Sequence, residues 1–187
     1  MNQPNSNRRH GHRQSVTVAY SGMAAALSVV LLLTGSLVPV MTYVSPLAAG
    51  VLLLPVMAEF GRRWAWSCYA VSAVIVLLLG VDREAAFFYL FFGYYPIVKW
   101  QLDRIRPMPL CLLAKTGLFA VSGGAMYAIL AFLLHMDALL AEFGEMGTAM
   151  TVLFFALMLL CLHLYDRLLF PLLLLYDRKL KPKLRIR

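Results

Sequence analysis

The chain has 187 residues, 61% of them hydrophobic and 14% charged, with a mean hydropathy of +0.76 and a net charge of +8. Soluble domains average about 45–50% apolar and about 25% charged residues, so this composition lacks the polar surface of a water-soluble globule. A bilayer core takes about 20 helical residues per crossing, and about six crossings consume the chain, which excludes a separate soluble domain. The expected fold class is all-α: a polytopic membrane protein with residues 15–176 in the bilayer, between a polar tail at 1–14 and a basic tail at 177–187.

Residues 1–14 are rich in Asn, Gln, Arg and His and are expected to be disordered. The first apolar run, 16–38, ends at Pro39. It exceeds the roughly 7–15 residues of a signal-peptide core and no small-x-small cleavage pattern follows, so it reads as a retained span. Span two, 43–60, opens near Pro46 and closes before Arg62 and Arg63. Span three, 64–81, ends at Asp82-Arg83-Glu84, and span four, 85–99, ends at Lys99. Span five, 110–134, leads into an acidic loop with Asp137, Glu142 and Glu145. Span six, 149–165, continues as an apolar stretch to Tyr176. Span four is short, so spans three and four form either two crossings, the reading adopted, or a re-entrant hairpin buried in protein.

Lys and Arg set the orientation. With the N-terminus inside, the inner segments hold Arg8, Arg9 and Arg13, then Arg62 and Arg63, then Lys99, Arg104 and Arg106, then six residues from Arg178 onward. The outer connections hold only Arg83. This asymmetry puts both termini on the cytoplasmic side of the cytoplasmic (inner) cell membrane, and Trp64, Trp66 and Trp100 fall at inner boundaries. The basic flanks suit anionic lipid headgroups as partner. Nucleic acid is excluded, since no basic-aromatic platform is present. Cys68, Cys111 and Cys161 lie in cytoplasmic halves of spans, where no disulfide is expected, and match no metal or redox spacing.

No His-Glu-x-x-His, P-loop or Gly-x-Ser-x-Gly signature occurs, so no catalytic residue, cofactor or metal ligand is assigned. Ser122-Gly123-Gly124 reads as close helix approach rather than a nucleophile. Lys115 is expected to snorkel to the inner headgroups, and His163 to serve as a packing hydrogen-bond donor. Tyr165-Asp166-Arg167 and Tyr176-Asp177-Arg178 repeat at a spacing that returns to one helix face. They form either a helix continuing along the inner surface, bent at Pro171, or a docking surface for a partner. On the outer side, Thr42, Tyr43, Asp82, Glu84, Tyr89, Tyr127 and His135 combine polar tips with tyrosines, the makeup of a small-molecule site. Interfacial anchoring and solvated loops are the competing reading.

Span one carries the small-residue run Ser21-Gly22-Met-Ala24-Ala25-Ala26-Leu-Ser28, followed by a Pro-flanked outer loop and by Ser45-Pro46-Leu-Ala-Ala-Gly50. In this, and in its length, span number and cytoplasmic ends, the chain resembles the substrate-binding S components of energy-coupling factor transporters. In that family an Ala-x-x-x-Ala in the first helix docks the transmembrane coupling subunit. The matching positions here are Gly22 and Ala26, with Ser21, Ala25 and Ser28 beside them, and no literal Ala-x-x-x-Ala occurs. The resemblance implies a small vitamin-like metabolite as ligand, and a coupling subunit with two cytoplasmic ATPases as partners. The rival expectation is a membrane scaffold that binds a protein through its cytoplasmic face.

Overall fold

Prolines and glycines cut the apolar runs into helices. The computed structural model describes residues 5–35, 41–80, 82–129 and 137–180; the side chains of 5–13, 127, 137–149, 151 and 179–180 lie outside that description. The helices are α1 (Asn5–Thr34), α2 (Met41–Val51), α3 (Leu53–Phe60), α4 (Arg62–Leu79), α5 (Arg83–Phe92), α6 (Tyr95–Leu102), α7 (Met108–Ala128) and α8 (Asp137–Leu175), the last running into a π-helical turn, Tyr176–Leu180. Pro55, Pro96 and Pro109 each stand in the first turn of their helix, where the missing N–H has no helical acceptor. Gly61 and Gly80 adopt positive φ (88° and 60°) at the two ends of α4, a conformation only glycine takes without strain.

Three differences from the sequence expectation follow from this punctuation. Helix α1 starts at Asn5 and takes in most of the polar segment expected to be disordered. The fourth apolar segment is two helices of ten and eight residues, α5 and α6, interrupted at Gly93-Tyr94 ahead of Pro96. The acidic segment expected as a loop is helical, with Asp137 at the start of α8, where an acidic residue suits the helix dipole.

Among the described residues, five segments are long and apolar enough to cross a membrane: Gln14–Thr34, Met41–Phe60, Arg62–Leu79, Met108–Met126 and Val152–Arg178. The polarity of the packing agrees with them. Leu78, Leu113, Val121, Leu153, Leu157, Leu160, Leu164 and Leu168 are exposed, while Ser28, Ser72, Lys99, Lys115 and Asp166 are buried. Such an apolar exterior around a polar interior is unstable in water and suited to lipid. The chain is an all-α, multi-pass membrane protein.

The chain divides into two units, Met1–Ile97 and Val98–Arg187. In the first, α4 packs against α1, α3 and α5, and α2 packs against α1 and α5. Alanines supply the contacts: Ala25, Ala49, Ala65, Ala73 and Ala86 all lie in the core. Between apolar helices in lipid there is little hydrophobic drive, so association rests on the close backbone approach that small residues permit. Side-chain hydroxyls and a thiol add bonds across helices. Ser28 Oγ of α1 lies 3.0 Å from its own Ala24 carbonyl and 3.4 Å from the Ala49 carbonyl of α2, and Cys68 Sγ of α4 donates to the Ser21 carbonyl at 3.2 Å. In the second unit α7 packs against α8.

Gly93 makes the break between α5 and α6 possible. A Cβ there would lie 2.5 Å from the Tyr89 ring and 2.6 Å from the Tyr89 carbonyl oxygen. Tyr89 is fully buried and cannot give way. Overpacking of this kind costs about 1–3 kcal/mol. Gly93→Ala is therefore expected to lower the apparent Tm in detergent by about 2–10 °C at this chain length, read by thermal unfolding followed by size-exclusion chromatography; an unchanged Tm would remove this account of the break.

Candidate functional site

Four of the described residues expected to bind solute, Thr42, Tyr43, Asp82 and Glu84, stand where α2 and α5 begin. Thr42 Oγ1 donates to the Gly35 carbonyl at 3.3 Å, tying the start of α2 to the end of α1. Asp82 caps α5 by accepting from the Ala85 N–H at 2.9 Å. Tyr43 is exposed and packs edge-on against Phe88 of α5, the ring centroids 5.6 Å apart. Glu84 is half-buried in the first turn of α5. Thr42 and Asp82 thus hold helix ends, Glu84 is as accessible as either of them, and Tyr43 is the exposed member.

Tyr89 belongs to the core. Ser72 reaches the Cys68 carbonyl at 2.8 Å and the Tyr69 carbonyl at 3.0 Å, so its single proton is engaged. Tyr89 Oη, 2.8 Å away, is then the donor to Ser72 Oγ. Beside it, Tyr69 donates to the Leu90 carbonyl at 2.5 Å, just ahead of the Gly93-Tyr94 break. The side chain of Tyr127 and all of His135 lie outside the described residues.

The small residues of α1 fall on two faces. Ser21, Ala25 and Ser28, with Leu32, make the buried stripe that meets α2 and α4. Gly22 and Ala26 are exposed, and a Cβ added at Gly22 would meet no atom within 4 Å. The run thus divides into an internal packing stripe and an open pair beside it.

The second unit holds a constellation that the sequence reading missed. Lys99 Nζ of α6 donates to Asp166 Oδ1 of α8 and lies 3.3 Å from Asp103 Oδ2. Lys115 Nζ of α7 lies 2.5 Å from Asp103 Oδ1 and 2.8 Å from Asp166 Oδ2. The result is a closed ring in which each carboxylate bridges both ammonium groups and formal charge cancels. The lysine side chains are 6% and 8% exposed and Asp166 12%, against 36% for Asp103. Lys115 is thus buried and paired rather than snorkelling.

Leu162, Tyr165, Asp166 and Leu169 of α8, and Tyr176 of the π-helical turn, are all buried. The two Tyr-Asp-Arg copies do share a face, as their spacing requires, but their tyrosines point into the protein while Arg167 and Arg178 are exposed. A turn before Asp166, His163 Nδ1 donates to the Leu159 carbonyl at 2.8 Å, since a carbonyl only accepts. Its Nε2 faces Thr116 Oγ1 at 3.2 Å, and its ring packs edge-on against Phe119. Among the described residues no group of His, Cys, Asp and Glu is placed to hold a metal ion. No protein-family model, no curated protein and no solved structure matches this chain.

Proposed function

We propose that this protein is the membrane-embedded, small-solute-binding subunit of an energy-coupling-factor-type importer, with both termini cytoplasmic and no catalytic activity of its own. The observation that carries the reading is the open pair on α1. Gly22 and Ala26 leave the backbone of a packed helix bare, at the positions where S components dock their coupling subunit. A helix face that meets only lipid has no need of glycine, since leucine is as well solvated there and favours the helix more. The outer starts of α2 and α5, with Tyr43 exposed and Glu84 half-buried, supply the place where a solute would be taken.

The second reading, a scaffold that holds a protein at its cytoplasmic face, draws on the exposed Arg104, Arg106, Arg167 and Arg178. Affinity purification from native membranes followed by native mass spectrometry separates the two. The importer reading expects a small ligand retained on the subunit, together with a coupling subunit and paired ATPases. A single unrelated protein and no ligand would replace it with the scaffold.

A further inference from the structure

Asp103 differs from the other members of the ionic ring in two ways. It is about three times as exposed as Asp166 (36% against 12%), and it stands beyond the end of α6, in the turn that leads to α7. The turn closes on short-range backbone bonds. Asp103 N–H donates to the Lys99 carbonyl at 2.9 Å, Arg104 N–H to Gln101 at 3.3 Å and Ile105 N–H to Leu102 at 3.0 Å. Cys111 Sγ, in the first turn of α7, donates to the Leu102 carbonyl at 3.4 Å and is half-buried.

We propose that the ring is a latch on the turn between α6 and α7, with Asp103 as the member that releases. The asymmetry of burial decides which member moves. If Asp166 left, two buried lysine ammonium groups would lose their more buried partner. If Asp103 leaves, Lys99 and Lys115 both keep Asp166, and the vacated side of the ring lies where water already reaches. Arg104 and Arg106, exposed on the same turn, move with it. Ions of the medium also reach Asp103, so its two contacts weaken with ionic strength while the inner contacts to Asp166 are screened much less. This inference does not depend on the importer reading.

Cys111 reports the state of the latch, because release of the turn removes the Leu102 carbonyl from its thiol and opens it to reagent. The experiment is modification of the full chain in detergent by N-ethylmaleimide, with the rate at Cys111 read by peptide mass mapping. Asp103→Asn is expected to raise that rate about tenfold, while Arg104→Gln, a change on the same turn outside the ring, leaves it unchanged. Should Asp103→Asn fail to stay monodisperse, the unaltered protein provides the test. Its Cys111 rate is expected to climb severalfold as sodium chloride goes from about 0.05 to about 1 M, over which the screening length falls to about 3 Å. A Cys111 rate insensitive to salt, or equal in a folded Asp103→Asn variant and the unaltered protein, overturns the latch.

Discussion

Asp166→Leu is expected to lower the apparent Tm in detergent by about 10 °C, the largest effect of any single substitution in the second unit. Asp166 accepts from Lys99 and Lys115 at once, and its removal leaves two buried ammonium groups sharing only the half-exposed Asp103. Removing one partner of a buried ion pair costs about 3–5 kcal/mol, because the charge left behind is uncompensated, whereas replacing both partners by apolar residues of similar size is close to neutral. At this chain length each kcal/mol moves the Tm by about 2–4 °C. Asp166→Leu combined with Lys115→Met restores charge balance and keeps the Lys99–Asp103 pair at 3.3 Å, so the double variant should regain more than half of the loss. Contacting residues are non-additive in this way. A double variant no more stable than Asp166→Leu would show that the four groups are not a charge-balanced unit. A mild Asp166→Leu would return Lys115 to the snorkelling expected from the sequence.

The ring shows where the sequence stops being readable. Asp166 is separated from Lys99 by 67 residues and from Lys115 by 51, and hydropathy weighs each ionisable residue against its own span. Depth alone makes Lys115 a snorkelling candidate, and the packing of α7 on α8 supplies its more buried partner, Asp166. An intramembrane charge is evidence that an opposite one faces it, and Asp166, with Arg167 beside it to take up attention, was the acid to pair. The long spans were legible because unbroken apolar runs in lipid leave the helix as the solution for a single crossing strand of chain. The fourth segment was not, because its two short helices depend on Gly93 fitting under the Tyr89 ring, a contact one turn long that no hydropathy window resolves. Counting along the chain puts Tyr89 in the outer half of its span. Its face was decided by Ser72 of α4, which counting does not reach. Thr42 and Asp82 were visible as polar outer residues, but their work as a tie and a cap depends on which backbone groups the helix ends leave open.

The two faces of α1 make opposite predictions for neighbouring residues, and together they carry the test of the proposed function. Ala25 lies in the core with Ala49 and Ala65, on the stripe that meets α2 and α4. Ala25→Leu inserts three carbons where helices already touch, so it should cost about 1–3 kcal/mol and show as aggregation or a lowered Tm in the isolated subunit. Gly22→Leu adds its side chain where no atom lies within 4 Å. Replacing glycine inside a helix also recovers about 0.8–1.0 kcal/mol of helix propensity, so the variant should be at least as stable as the unaltered protein. Ala26→Leu, on the same exposed face, should behave likewise. If Gly22 and Ala26 are the contact with a coupling subunit, both leucine variants insert, stay monodisperse and bind solute, yet lose the coupling subunit, its ATPases and uptake, because close approach at small residues is what holds helices together in lipid. Loss of stability in Gly22→Leu would mean that the face packs within the chain after all. Full partner capture and uptake with leucine at both positions would remove the support that α1 gives to the importer, and leave the exposed arginines as the surface on which to look for a partner.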